Sequence, residues 1–298
     1  MNVLLALLLL VWLGALLPGA LGTAINLTWR GEPLRPSRAG VSCFLREWAV
    51  HVLLVPLHAV GWWRRPPMPS GEADDGVDAR LPVILVPGYA MNRGYMSPLA
   101  LFLRRQGWRW VWPINNRPAS APIPVYARKL AEAVEELCQR TGAEQVDLVA
   151  HSMGGVIAGW YVNRMDGARR VRRMVTVATP WRGTMMHVWG LLRQARDMAP
   201  ESDVIAGIQQ PAVPVTAIWS RSDQIVIPPE HSVCDGVEAI ELAHAGHMEM
   251  LLSARVWRLV ADALATSEVQ PEAGAEASAD AVEAGADDKA RKPEAESA

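Results

Sequence analysis

Residues 81–87 read LPVILVP, an apolar run with no polar alternation. A strand with one wetted face alternates apolar and polar side chains. One that is apolar throughout must be covered on both faces, which is the condition of a parallel sheet packed between helix layers. The following 180 residues repeat that demand. Helical periodicity over 96–107 ends at Gly107, and a strand is expected over 108–115. An amphipathic helix over 123–140 is stopped by Thr141-Gly142. A strand (146–151), a helix (153–165), a strand (171–178), a helical stretch (185–198), strands at 213–220 and 237–242, and a final helix (248–264) complete the series. Alternation of this kind predicts an α/β domain over 81–265, with a mainly parallel sheet of about six strands flanked by helices.

The flanks differ in composition. Val3 to Leu21 is apolar, long enough to span a bilayer, and Ala20-Leu21-Gly22 offers small residues for cleavage. Residues 1–22 therefore read as a signal peptide or a membrane anchor. A second apolar segment, WAVHVLLVPLHAVGWW (48–63), has Trp48, Trp62 and Trp63 at its ends. It fits either a segment lying on a membrane or a helix packed on the α/β domain. With the Pro-, Gly- and Asp-rich linker 65–80 it makes 23–80 a membrane-associated and linker region. These features place the chain at a membrane or outside it, in the cell envelope or exported. Residues 266–298 carry nine acidic and three basic side chains and few large apolar ones, so disorder is expected there.

The formal net charge is −2, which argues against nucleic acid as a partner. Cys43, Cys138 and Cys234 lack metal-ligand spacing and read as free thiols. Nothing calls for a metal or cofactor. Trp108, Trp110 and Trp112 alternate and are expected to share one face of a strand. Arg169, Arg170, Arg172 and Arg173 read as a solvated face, with anionic lipid as the other reading.

One turn carries chemistry. In VDLVAHSMGGVIAGWY (146–161) a strand runs into Ser152 and a helix starts at once. A serine there projects from a sharp turn. The positions two before and two after it must be small, because strand and helix approach closely. Gly154 meets this; Ala150 adds one methyl. A structural serine is the alternative.

AHSMGG resembles the nucleophile elbow of small bacterial lipases and esterases of the α/β-hydrolase superfamily. Four other stretches match in order: VPGYA (86–90), VATPWRGT (177–184), IWSRSDQIVIP (218–228) and HAGHMEML (244–251). The resemblance covers about residues 81–265. It implies the α/β-hydrolase fold and an ester hydrolase with Ser152 as nucleophile, His247 as general base and Asp223 as the residue that orients it. It also implies an oxyanion hole from the backbone N–H groups of Tyr89 and Met153. Pro87 departs from the His that many relatives carry. His244 competes with His247, and Asp203 and Asp235 with Asp223. Trp181, Met185, Met186 and Trp189 fall where the family has a lid or acyl pocket. The implied substrate is a lipid or other apolar ester. An acyltransferase on the same triad, or a non-catalytic membrane-attached module on the fold, are the alternatives.

Overall fold

The computed structural model describes residues 20–29, 31, 38–63 and 80–266. Most of the N-terminal apolar run, the 65–80 linker apart from Arg80, and the acidic tail beyond Thr266 lie outside the described residues. Six strands form one parallel sheet: β1 (Val83–Val86), β2 (Val111–Pro113), β3 (Val146–His151), β4 (Val171–Val177), β5 (Val215–Ser220) and β6 (Glu238–Leu242). Their order is β2-β1-β3-β4-β5-β6. β1, β3 and β5 are buried at every position, β1 as its unbroken apolar pattern demands, β3 and β5 with polar side chains among the buried ones. β6 is the edge, and most of its side chains are exposed. Its Glu238 accepts from Thr216 Oγ1 and its Glu241 pairs with Arg221. Charged side chains on an edge discourage pairing with another sheet.

Side-chain alternation sorts the sheet into two cores. Ile84, Val86, Leu148 and Ala150 face helices α4 (Ile123–Thr141) and α5 (Met153–Arg164). Val83, Leu85, Val149, Val175 and Val177 face α3 (Arg93–Arg105) and α8 (Ala254–Ala265). α4 buries Ile123, Tyr126, Ala127, Leu130, Val134, Leu137 and Cys138, a helical stripe, and ends at Gly142 with φ 70°.

Several local expectations change. The 185–198 stretch is two short 3₁₀ segments, Met185–Trp189 and Arg193–Met198, not an α-helix. The final helix is broken at Ser253 into α7 (Glu249–Leu252) and α8. β2 begins only at Val111, so the three tryptophans do not share a face. Trp108 lies in the α3/α8 core, and Trp110 and Trp112 pack on the α4/α5 side. The arginine run is a solvated face only in its first half: the side chains of Arg169 and Arg170 are exposed, those of Arg172 and Arg173 are not. Arg172 pairs with the buried Asp147, its Nη2 2.6 Å from Oδ2, and the buried Arg173 donates to Ala263 O. All three cysteines are free and buried.

Among the described residues two helices precede the sheet: α1, described over 20–29, and α2, Arg38–Trp63. α2 is longer than the 48–63 segment and carries Pro56 inside it. Within it Gly40–Ala59 is long and apolar enough to cross a membrane by length and composition. One face, with Cys43, Glu47, Leu54 and Gly61, is buried on the domain. The opposite face exposes Val41, Leu45 and Leu53.

Candidate active site

Loops after β1, β3, β5 and β6 meet at the C-terminal edge of the sheet, where open α/β sheets place their sites. β3 and α5 join at Ser152, whose backbone has φ 54° and ψ −126°. That conformation is unfavourable for a side chain bearing a Cβ and persists only where the surroundings impose it. Here they do. Ser152 N donates to Val177 O at 2.9 Å, and Ser152 O accepts from Thr179 Oγ1 at 3.1 Å. A Cβ on Gly154 would lie 2.4 Å from Val86 O, and one on Gly155 would lie against Thr179 Oγ1. The backbone of β1 thus requires glycine at 154, and the Thr179 side chain requires it at 155. Ala150 is completely buried and in register with Val86 and Thr176, so its methyl fits.

Asp223 follows β5 and is completely buried. Its Oδ1 accepts from Ile225 N at 2.7 Å and Val226 N at 2.9 Å. His247 Nδ1 lies 2.8 Å from Asp223 Oδ2 and 3.1 Å from Oδ1. A carboxylate can only accept, so Nδ1 carries the hydrogen and Nε2 keeps a free lone pair. Burial pulls the imidazole pKa down, but Asp223, by charge and hydrogen bond, and Glu47, by charge, outweigh it and raise the pKa. His247 is therefore a base stronger than an ordinary histidine.

His151, beside Ser152, is also buried, with its ring centroid 4.9 Å from that of His247. Its Nε2–H donates to His247 O at 3.3 Å, and its Nδ1 has no partner among the described residues. Burial, helped by the neighbouring His247, pushes its pKa down to about 3, so it stays neutral. Nothing in the sequence pattern distinguished it as a spacer between the Ser152 turn and His247.

The structure thus pairs Asp223 with His247 and sets both beside the turn that carries Ser152. The Ser152 hydroxyl itself has no hydrogen-bond partner among the described residues. Catalytic hydrogen bonds are commonly long without substrate. Met153 opens α5, so its N–H has no intrahelical acceptor. Gly88, next to Tyr89, would bring a Cβ within 3.1 Å of Ser152 Cβ, which places that loop at the serine. Tyr89 Oη accepts from Leu192 N at 2.8 Å and ties the loop to the 185–198 excursion. The competitors lie elsewhere: His244 is exposed with φ 53°, Asp203 opens helix α6 (Asp203–Ala206), and Asp235 precedes β6. Trp181 is a core residue, completely buried. Trp189, Val188 and Leu191 are exposed, Leu191 at 99%. Among the described residues, no group of three His, Cys, Asp or Glu could hold a metal ion.

Comparison with known proteins agrees with this architecture. Residues 82–204 match the family model of the α/β hydrolase fold. Aspergillus fumigatus lipase B aligns with TM-score 0.58 and 18% identity, over 75% of this chain and 72% of that one. The mature form of Bacillus licheniformis lipase BlEst2 aligns with TM-score 0.52 and 11% identity, over 64% of this chain and 96% of that one. At such identities the likeness speaks for the fold alone. The six-stranded parallel sheet, its order and the family match over residues 82–204 give this chain the α/β-hydrolase fold.

Proposed function

We propose that the protein is a serine hydrolase of apolar carboxylic esters, with Ser152, His247 and Asp223 as its catalytic triad. The observation that carries the reading is the buried Asp223–His247 pair beside the strained Ser152 turn. His247 Nε2 takes the hydroxyl proton as Ser152 Oγ attacks the ester carbonyl. The oxyanion that forms is held by the N–H groups of Tyr89 and Met153. Collapse expels the alcohol, which takes the proton from His247, and leaves an acyl-enzyme. Water then attacks the acyl carbon, with His247 again as base, and releases the acid and free Ser152.

Apolar substrate and membrane association are supported by the same surface chemistry. Val188, Trp189 and Leu191 are exposed beside the Tyr89 loop, and Val41, Leu45 and Leu53 on the outer face of α2. The N-terminal apolar run leads into α1. α2 lies along the domain in this reading, its inner face, with Glu47, bound to the site and its outer face toward lipid. The lipases named above share the fold.

A fluorophosphonate probe tests the mechanism. Labelling of the full chain is expected at Ser152 and is lost in Ser152→Ala. His247→Ala abolishes ester turnover, whereas His244→Ala leaves it within roughly threefold. Absence of labelling on folded protein would sink the reading, and loss of turnover in His244→Ala but not in His247→Ala would transfer the base to His244. Rates on p-nitrophenyl esters that rise with acyl length support an apolar substrate; a maximum at acetate would refute it.

A further inference from the structure

Glu47 is a buried carboxylate outside the triad, 3% exposed, on a helix far from the catalytic loops in sequence. Its Oε1 accepts from Met248 N at 2.8 Å and its Oε2 from Glu249 N at 2.7 Å. These are the two backbone N–H groups directly after His247, at the start of α7. Both oxygens accepting is the pattern of a carboxylate at a helix start. The contact leaves no room for another side chain: a Cβ on Gly246 would lie 2.4 Å from Glu47 Oε2.

The grip extends to the Asp223 loop. Asn26 Nδ2, on α1, donates to Asp223 O at 3.1 Å and Arg221 O at 3.2 Å. Gln224 Nε2 donates to Cys43 Sγ at 3.7 Å, and Gln224 Oε1 accepts from His247 N at 3.4 Å. Arg46, next to Glu47, donates to Glu249 Oε1 and to His244 O, both at 2.6 Å. The two N-terminal helices therefore hold both loops of the acid–base pair.

We propose that Glu47 is a positioning residue for the proposed hydrolase: it fixes the backbone that carries His247 and places a negative charge beside the imidazole, so that docking of α2 is part of the active state. The proposal rests on the triad reading above. The groups facing His247 are Asp223 from the loop after β5, His151 from the end of β3 and Glu47 from α2. Glu249, paired with Arg46, lies two residues on, and His51 Nδ1 is 3.8 Å from Glu47 Oε1. Burial raises the Glu47 pKa, opposed by His51, the Met248 and Glu249 N–H groups and His247. The charge on Glu47 in turn favours the imidazolium.

Two variants of the full chain test this, read by the rate of fluorophosphonate labelling across pH and by kcat and KM on a soluble p-nitrophenyl ester. Glu47→Gln keeps the shape, but one amide nitrogen faces a backbone N–H. It is expected to label to the same end point as the parent, which shows it folded, but roughly tenfold more slowly. Its KM stays within about twofold, and the acid limb of its pH profile moves down by roughly half a unit or more. Glu47→Asp keeps the charge but is one methylene short, so its rate falls while the acid limb stays in place. An unshifted acid limb in Glu47→Gln, or a parental rate in Glu47→Asp, overturns the proposal while leaving the hydrolase intact. Failure of the parent to label at Ser152 brings down the hydrolase reading and this one with it.

Discussion

Gly154→Ala isolates the demand that β1 and α5 make on each other. The new Cβ would stand 2.4 Å from Val86 O, 2.8 Å from Pro87 O and 2.9 Å from Val86 C. Carbon and carbonyl oxygen normally meet at about 3.3 Å. The gap must open by about 0.9 Å, and the obstructing atoms are backbone, so no rotamer change relieves the clash. Val86 is held in the sheet, in register with Ala150. The start of α5 is therefore the part able to yield, and it bears Ser152 and the Met153 N–H. Overpacking of this kind costs roughly 1–3 kcal/mol of stability. A catalytic group misplaced by about 1 Å can cost roughly a hundredfold in rate. The variant is expected to unfold at lower urea and to lose roughly a hundredfold in kcat on a soluble ester, with KM nearly unchanged. Gly159→Ala is the control, because its Cβ would meet side chains, Trp181 at 3.1 Å and Ile208 at 3.2 Å, and not the backbone of Val86 and Pro87. Its rate should stay within roughly threefold. A Gly154→Ala enzyme with parental kcat would refute the link between this approach and the oxyanion geometry.

Three further outcomes are expected. Ala150→Gly should cost about 1.5 kcal/mol in urea unfolding, from strand backbone freedom and one buried methyl, and leave turnover within roughly twofold; a gain in stability would mean the methyl is strained. Arg172→Ala removes the guanidinium that pairs with the fully buried Asp147 and should cost roughly 2–3 kcal/mol, less than a wholly buried pair because Arg172 remains 23% exposed; a change below about 0.5 kcal/mol would show Asp147 adequately held by its other contacts. His151 is held neutral with its pKa near 3, against 6.5 in the unfolded chain, so the unfolded state binds more protons between those values. The resulting stability is complete above pH 6.5 and lost as pH falls towards 3, by about 1.4 kcal/mol per pH unit. Urea midpoints of the parent should therefore fall more steeply below pH 6.5 than those of His151→Gln, and parallel curves would contradict the assignment.

What could be read from the residues alone was whatever local patterning controls. LPVILVP had to be a strand covered on both faces, and β1 is buried throughout. The stripe of α4 and its glycine stop are periodic features, visible in any sequence. The Ser152 turn is local too, a strand, a serine and small residues within ten positions. The chain order of Asp223 and His247 came from resemblance to a family, and the structure places the two side chains in contact.

The misread stretches were those where packing overrides pattern. Trp108 resembled part of a strand, but β2 starts only at Val111 and the ring fills the other core. Arg172 and Arg173 looked solvated, because nothing nearby in sequence announces Asp147 or Ala263 O as partners. Glu47 was invisible for the same reason. It is a single acid in an apolar helix, and its two hydrogen bonds reach across 201 and 202 residues. Periodicity records which face of an element avoids water. It carries no information on which distant backbone that face will meet, and only the closed tertiary structure decided that α2 would grip the histidine loop.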